Sequence, residues 1–223
     1  VIRKCKINPI IHVCSSSEIF GRVKKKDLPI KEENRFHPAS PYAISKIGTD
    51  LIANFYYEAY GLKIITTRMF THTGPRRSDF FAESSFAKQI ALIENGLQKK
   101  YLYVGNLNSL RTIADVRDAV DAYFRILSRP IKFGEAYNIG GQYSCTVSEI
   151  AKYLISLSTV KNIKIKLDKQ RLRPIDADLQ IPSTKKFVKD YKWKPKIKFE
   201  KTLNDLLNHW RDIISKSKNF PNR

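Results

Sequence analysis

The chain has 223 residues, 42 % of them hydrophobic, and a formal net charge of +20. That length supports one substantial core or parts of two domains, and the composition excludes an intrinsically disordered chain. No apolar run reaches the roughly 18 residues of a membrane-spanning helix, so no membrane association is expected.

In chain order, the apolar run 9–13 predicts a buried strand, with Pro9 tolerable as its first residue. A polar turn, 14–21, closes on Gly21, and 22–39 is loop-like, with a lysine run, Pro29, Glu32, Glu33 and Pro38. Ser40 suits an N-cap and Pro41 the first position of a long helix. Ile44, Ile47, Leu51, Ile52, Phe55 and Tyr56 recur there at helical spacing, and Gly61 stops it. A strand is predicted over 62–69, then a loop over 70–83, a helix over 84–94, a strand over 101–104 and a loop over 105–110. A helix follows over 115–127 and a short strand over 135–139, ending at Gly140-Gly141. Thr146 and Glu149 have capping-box spacing and open a helix to about residue 157. The remainder reads as a strand over 163–167, a loop over 171–181, a short helix before Trp193 and an amphipathic helix over 200–214. Strands alternating with helices indicate an α/β fold with a parallel sheet.

The positive charge raises nucleic acid as a partner. Yet the bases are scattered, at Lys24 to Lys26, Lys99-Lys100, Lys185-Lys186 and in the tail. No aromatic RNA-binding motif, zinc spacing or recognition helix accompanies them, so solvated lysine is the better reading and no nucleic-acid partner is expected. Cys5, Cys14 and Cys145 are odd in number and form no C-x-x-C pair, which predicts free thiols and a cytoplasmic protein. No His/Cys/Asp cluster has metal-ligand spacing, so no metal is expected.

The chemistry concentrates on Ser40-Pro41-Tyr42-Ala43-Ile44-Ser45-Lys46. Tyr42 and Lys46, four apart, share one helix face. A free phenol ionises near pH ~10, and a nearby cation favours the phenolate. Such a pair can act as general base or acid toward a hydroxyl or ketone, although a Tyr-x-x-x-Lys pair on its own is more often a solvated helix face.

Four stretches together make the sequence similar to the extended short-chain dehydrogenase/reductase family and its nucleotide-sugar dehydratases, epimerases and reductases. They are Ser15-Ser16-Ser17-Glu18-Ile19-Phe20-Gly21, Pro41 to Lys46, Arg68 to Arg77, and Val104-Gly105-Asn106-Leu107 to Arg111 with Asp115-Val116-Arg117-Asp118. Within the family the chain most resembles the GDP-mannose 4,6-dehydratases and GDP-4-keto-6-deoxymannose reductases, with Leu172-Arg173-Pro174 as a further shared stretch. Thr73-Gly74-Pro75 and Ala114 to Asp118 lean toward the reductases, whereas Arg76-Arg77 and Ser16-Ser17-Glu18 lean toward the dehydratases. Thr71 departs from both, at a position where asparagine is usual.

The resemblance implies the C-terminal part of a Rossmann-type doubly wound parallel sheet (residues 1–75) and a smaller α/β substrate-binding domain (mainly 76–223). It implies Ser16, Glu18, Tyr42 and Lys46 as catalytic residues. Tyr42, Lys46, His72 and Arg77 are then cofactor contacts for NADP, with NAD the other option. Ser16, Thr71, Lys88, Arg111, Arg173 and Asp176 are then contacts for a GDP-sugar. The implied reaction is dehydration of GDP-mannose; the alternatives are a 4-keto-sugar reductase, an epimerase, or a truncated binding module without activity. No G-x-G-x-x-G precedes the serine turn, so on the order of 100 residues, two or three βαβ units, are expected to be missing. A homo-oligomer, dimer or tetramer, is expected, with 41–60 and 84–95 as candidate helices for a dimer bundle.

Overall fold

The computed structural model describes residues 1–130 and 132–218. Its first sheet is parallel, in the order β1 (Ile11–Ser16), β2 (Ile64–Met69), β6 (Ala136–Ile139). The register pairs Ser15 with Arg68, and Arg68 with Asn138. Successive side chains alternate between the faces. Ile65, Met69, Tyr137 and Ile139 therefore meet helices α3 (Val116–Ser128) and α5 (Lys185–Tyr191) and Trp193 on one side. Ile64, Thr66 and Arg68 face helix α1 (Pro41–Tyr60) on the other. Every residue of β2 is buried, as expected for a central parallel strand covered on both faces. Among the described residues, no strand pairs with the outer edge of β1.

The second region is built on helix α2 (Ala82–Glu94), which packs against α4 (Val147–Ser156) and α6 (Phe199–Lys218). Phe86, Ile90, Leu102, Val104, Ile150, Leu154, Leu203 and Leu206 form its core. Strand β5 (Leu110–Asp115) runs parallel to β3 (His72–Thr73) and β9 (Leu179–Gln180) and antiparallel to β7 (Tyr143–Thr146). A separate parallel pair joins β4 (Tyr101–Val104) to β8 (Lys164–Leu167).

The helices follow their sequence signals closely. Ser40 Oγ accepts from the Ala43 amide at 3.1 Å, and the Thr146/Glu149 capping box is present in full. The strands depart more. β1 extends through Cys14-Ser15-Ser16, so the serines expected in a turn finish the strand. β5, β7 and β9 fall in stretches read as loop or left unassigned. β7 and β9 are short, and β5 carries Arg111, Thr112 and Asp115, whose polar groups are used in ion pairs and hydrogen bonds and mask the apolar pattern. Helix α2 also corrects the bundle expectation. Nine of its residues are buried within the chain, which leaves no open face for a second subunit.

Candidate active site

The site is assembled at the C-terminal end of β1. Ser16 closes the strand and caps a 3₁₀ turn, Ser17–Phe20, its Oγ accepting from the Glu18 amide at 3.2 Å. Gly21 ends the turn at φ 51°, where a Cβ would lie 1.7 Å from the His37 carbonyl oxygen. Glycine is required there both for the left-handed backbone and for the close return of the following loop. Ser15, Ser16 and Ser17 are buried, and Glu18 is half-buried.

Tyr42 sits in the first turn of α1 with half of its surface exposed. Lys46 donates from Nζ to the Cys14 carbonyl at 2.9 Å, tying the start of the helix to β1. The same Nζ lies 5.8 Å from the Tyr42 ring centroid. The loop after β2 brings in His72 and Arg77. His72 Nδ1 is 3.3 Å from the Phe70 carbonyl. Burial lowers the His72 pKa, the Phe70 carbonyl opposes that shift, and the Arg77 charge adds to it. Burial likewise lowers the Arg77 pKa, against the raising effects of Glu83 and of Tyr42, which is close enough to act on it. The Arg77 guanidinium stacks 3.3 Å from the Phe81 ring centroid.

Arg111 projects from β5 and bonds the carbonyls of Leu110 and Ala177. Burial lowers its pKa; the carboxylates of Glu18, Asp176 and Asp178 oppose this, and Arg173 adds to it. Glu18, Arg111, Asp176 and Arg173 therefore form one electrostatic cluster. Lys88 stands elsewhere, its Nζ 2.6 Å from Asp79 Oδ2 and 5.2 Å from the Trp210 ring centroid. Arg171 approaches the same Asp79 and donates to Ser85 Oγ at 3.0 Å. Thr71 accepts from the Ala114 amide at 2.9 Å through its carbonyl.

Sequence reasoning missed several neighbours. Asn106 Nδ2 donates to Asp176 at 2.9 Å and to Ser109 Oγ at 3.1 Å, and Ser109 donates to Asp178 at 3.1 Å. The alternation of Asp176 and Asp178 was the available signal. Tyr123 of α3 lies against His12, ring centroids 4.7 Å apart, and beside Cys14, but nothing in the sequence links α3 to the strand carrying the serine turn. Among the described residues, no group of three or more His, Cys, Asp or Glu side chains could hold a metal ion. No described helix is long and apolar enough to cross a membrane.

A family model described as GDP-mannose 4,6 dehydratase matches residues 1–206. The GDP-6-deoxy-D-mannose reductase of Pseudomonas aeruginosa is 32 % identical over 200 residues, covering 90 % of this chain and 65 % of the relative. GDP-mannose 4,6 dehydratase 1 of Arabidopsis thaliana is 30 % identical over 206 residues, covering 91 % and 55 %. The chain thus spans between about half and two-thirds of these relatives. The solved structure of RMD from Pseudomonas aeruginosa complexed with NADPH superposes with a TM-score of 0.88 at 29 % identity, covering 95 % of this chain and 70 % of that one. The dTDP-glucose 4,6-dehydratase of Bacillus anthracis in complex with NAD gives a TM-score of 0.80 at 26 % identity, covering 95 % and 64 %. The family match runs through the serine turn, the tyrosine helix and the arginine-bearing strand alike, and the chain belongs to the GDP-mannose 4,6 dehydratase family.

Proposed function

We propose that this chain carries the catalytic turn and the sugar-binding part of a 4,6-dehydratase that converts GDP-mannose to GDP-4-keto-6-deoxymannose. Residues 1–75 then belong to the C-terminal half of a dinucleotide-binding domain and 76–223 mainly to the substrate domain. The observation that carries the reading is Glu18, a half-buried carboxylate in a serine turn, close enough to the half-buried Arg111 guanidinium to act on its charge. A 4-keto reductase has little use for a carboxylate there, whereas elimination requires a base.

The dinucleotide, NADP or NAD, accepts hydride from the sugar and returns it later when bound. Tyr42, Lys46, His72 and Arg77 fit the role of holding it. Arg77 Nε is buried without a hydrogen bond among the described residues and has only a 3.7 Å ion-pair contact with Glu83 Oε1, so its N–H can still donate to an anion. Tyr42 takes the proton of the C4 hydroxyl as general base, with the Lys46 ammonium beside it. Ser16 Oγ already accepts from the Glu18 amide, which leaves its O–H free to donate to the C4 oxygen. The C4 ketone acidifies the C5 hydrogen, and Glu18 removes it and assists loss of the C6 hydroxyl as water. Arg111, Arg173, Asp176, Lys88 and Thr71 hold the GDP-sugar; the fork of an arginine suits a diphosphate.

A second reading, GDP-4-keto-6-deoxymannose reductase, is favoured by the 32 % identity to the Pseudomonas reductase. It needs Ser16, Tyr42 and Lys46 but no base at Glu18. A homo-oligomer built on the open face of α1 and a cytoplasmic setting belong to the same proposal. The test is to express the polypeptide from its complete gene and supply NADP with GDP-mannose, then NADPH with the 4-keto-6-deoxy sugar. Loss of one water from GDP-mannose, read by mass spectrometry, supports the dehydratase. NADPH consumption in the second mixture with no dehydration in the first establishes the reductase instead.

A further inference from the structure

We infer that Asp50 and Arg68 are positioning residues for the Tyr42–Lys46 pair, a buried fork that locks the register of helix α1 on the sheet. Asp50 lies four residues beyond Lys46 and eight beyond Tyr42, on the same helix face. It is 6 % exposed and Arg68 7 %. The pairing is bidentate, Nε to Oδ2 at 2.9 Å and Nη2 to Oδ1 at 2.8 Å.

Such a lock matters because few side chains of α1 are buried. Besides Asp50, the helix buries only Ala43 and Ala53. Ile47 adds a partly buried contact with the cluster of Ile19, Phe20, Ile30 and Phe70, but two alanine methyls and one isoleucine still make a shallow contact along which a helix can slide or roll. A bidentate fork has one geometry, so it sets rotation and translation together. A roll or slide of α1 takes Lys46 Nζ away from the Cys14 carbonyl, its anchor on β1.

The same guanidinium reaches the other side of the site. Arg68 Nη1 donates to the Glu32 carbonyl at 2.7 Å. The Glu32 carboxylate accepts from the Asn138 amide at 2.9 Å, and Asn138 Nδ2 donates to the Ile30 carbonyl at 3.0 Å. Phe36 lies under the guanidinium, 5.0 Å from its carbon to the ring centroid. Loop 22–39 leaves directly from Gly21, the end of the Ser16–Glu18 turn. One side chain on β2 thus holds the helix bearing Tyr42 and the loop that follows Glu18. Replacing a buried ion pair by apolar residues of similar size is often neutral or favourable for stability, so this fork contributes geometry more than stability.

The catalytic part of the inference rests on the roles proposed for Tyr42 and Lys46; the lock itself does not. The test compares Asp50→Asn and the apolar double variant Asp50→Leu/Arg68→Met with the parent. In this chain, competitive trace acetylation of Lys46 followed by mass spectrometry reads its anchoring. In the polypeptide from the complete gene, kcat and KM read the consequence. Lys46 is expected to acetylate several-fold faster in both variants, and kcat to fall by about 10²-fold with KM nearly unchanged, including in the double variant after its melting temperature recovers. A double variant with recovered melting temperature, parental Lys46 protection and parental kcat would show a fold-stabilising role only and overturn the inference. Tyr42→Phe, made alongside, separates the two ideas. Full turnover by that variant sinks the proposed base and leaves the acetylation result to decide the lock.

Discussion

Helices α1 and α2 differ in how they are held. α2, 13 residues long, buries nine of them against α4, α6 and β4. α1, 20 residues long, buries three, and leaves Ile44 61 % and Ile52 60 % exposed. The second region is held by a continuous apolar core, whereas the helix carrying the candidate base is held by a fork, a lysine on a carbonyl, two buried alanines and the partly buried Ile47. The candidate proton-transfer pair Tyr42–Lys46 and the apolar core of the second region thus lie in different parts of the chain, and substitutions at the two are expected to fail in different ways.

The largest expected effect lies on the poorly buried side. Tyr42→Phe is expected to lower turnover by about 10²–10⁴-fold while the melting temperature stays near the parent's, because Tyr42 is half exposed and only its hydroxyl is removed. Equal losses of turnover and stability would break the separation. On the other side, Leu206→Ala in the α2–α4–α6 core is expected to cost about 2–5 kcal/mol, measured by denaturant unfolding. A smaller effect follows from His72. Burial depresses its pKa below the ordinary 6.5, so the folded state disfavours the proton. Its contribution to stability is fully present above pH 6.5 and is lost as pH falls through the folded value. His72→Gln should flatten the pH dependence of unfolding in that window; an unchanged profile would remove His72 as the cause. The smallest effect is expected for Ile52→Ser on the open face of α1, within about 0.5 kcal/mol of the parent. A loss comparable to that of Leu206→Ala would show that this face is covered in solution.

The sequence was most informative where local rules act. The Ser40 cap, Pro41 and Gly61 marked α1, and the capping box marked α4, because those signals are satisfied within a few residues. The Ser16–Glu18 turn and the Tyr42–Lys46 spacing were visible for the same reason. What stayed hidden was long-range. Asn106 meets Asp176 seventy residues later, and Asp50 meets Arg68 across a helix–strand boundary, so no local pattern announces either pair. Strands β7 and β9 are four and two residues long and exist because β5 offers them an edge.

The central claim is that Glu18 is the base for elimination, and Glu18→Gln tests it most directly. The variant, expressed from the complete gene, is mixed with NADP and GDP-mannose in a single turnover and followed by absorbance of the reduced dinucleotide. Ser16, Tyr42 and Lys46 are untouched, so oxidation at C4 should proceed and bound NADPH should accumulate with no 4-keto-6-deoxy product. Formation of that product at the parental rate, with no accumulated NADPH, would contradict the account.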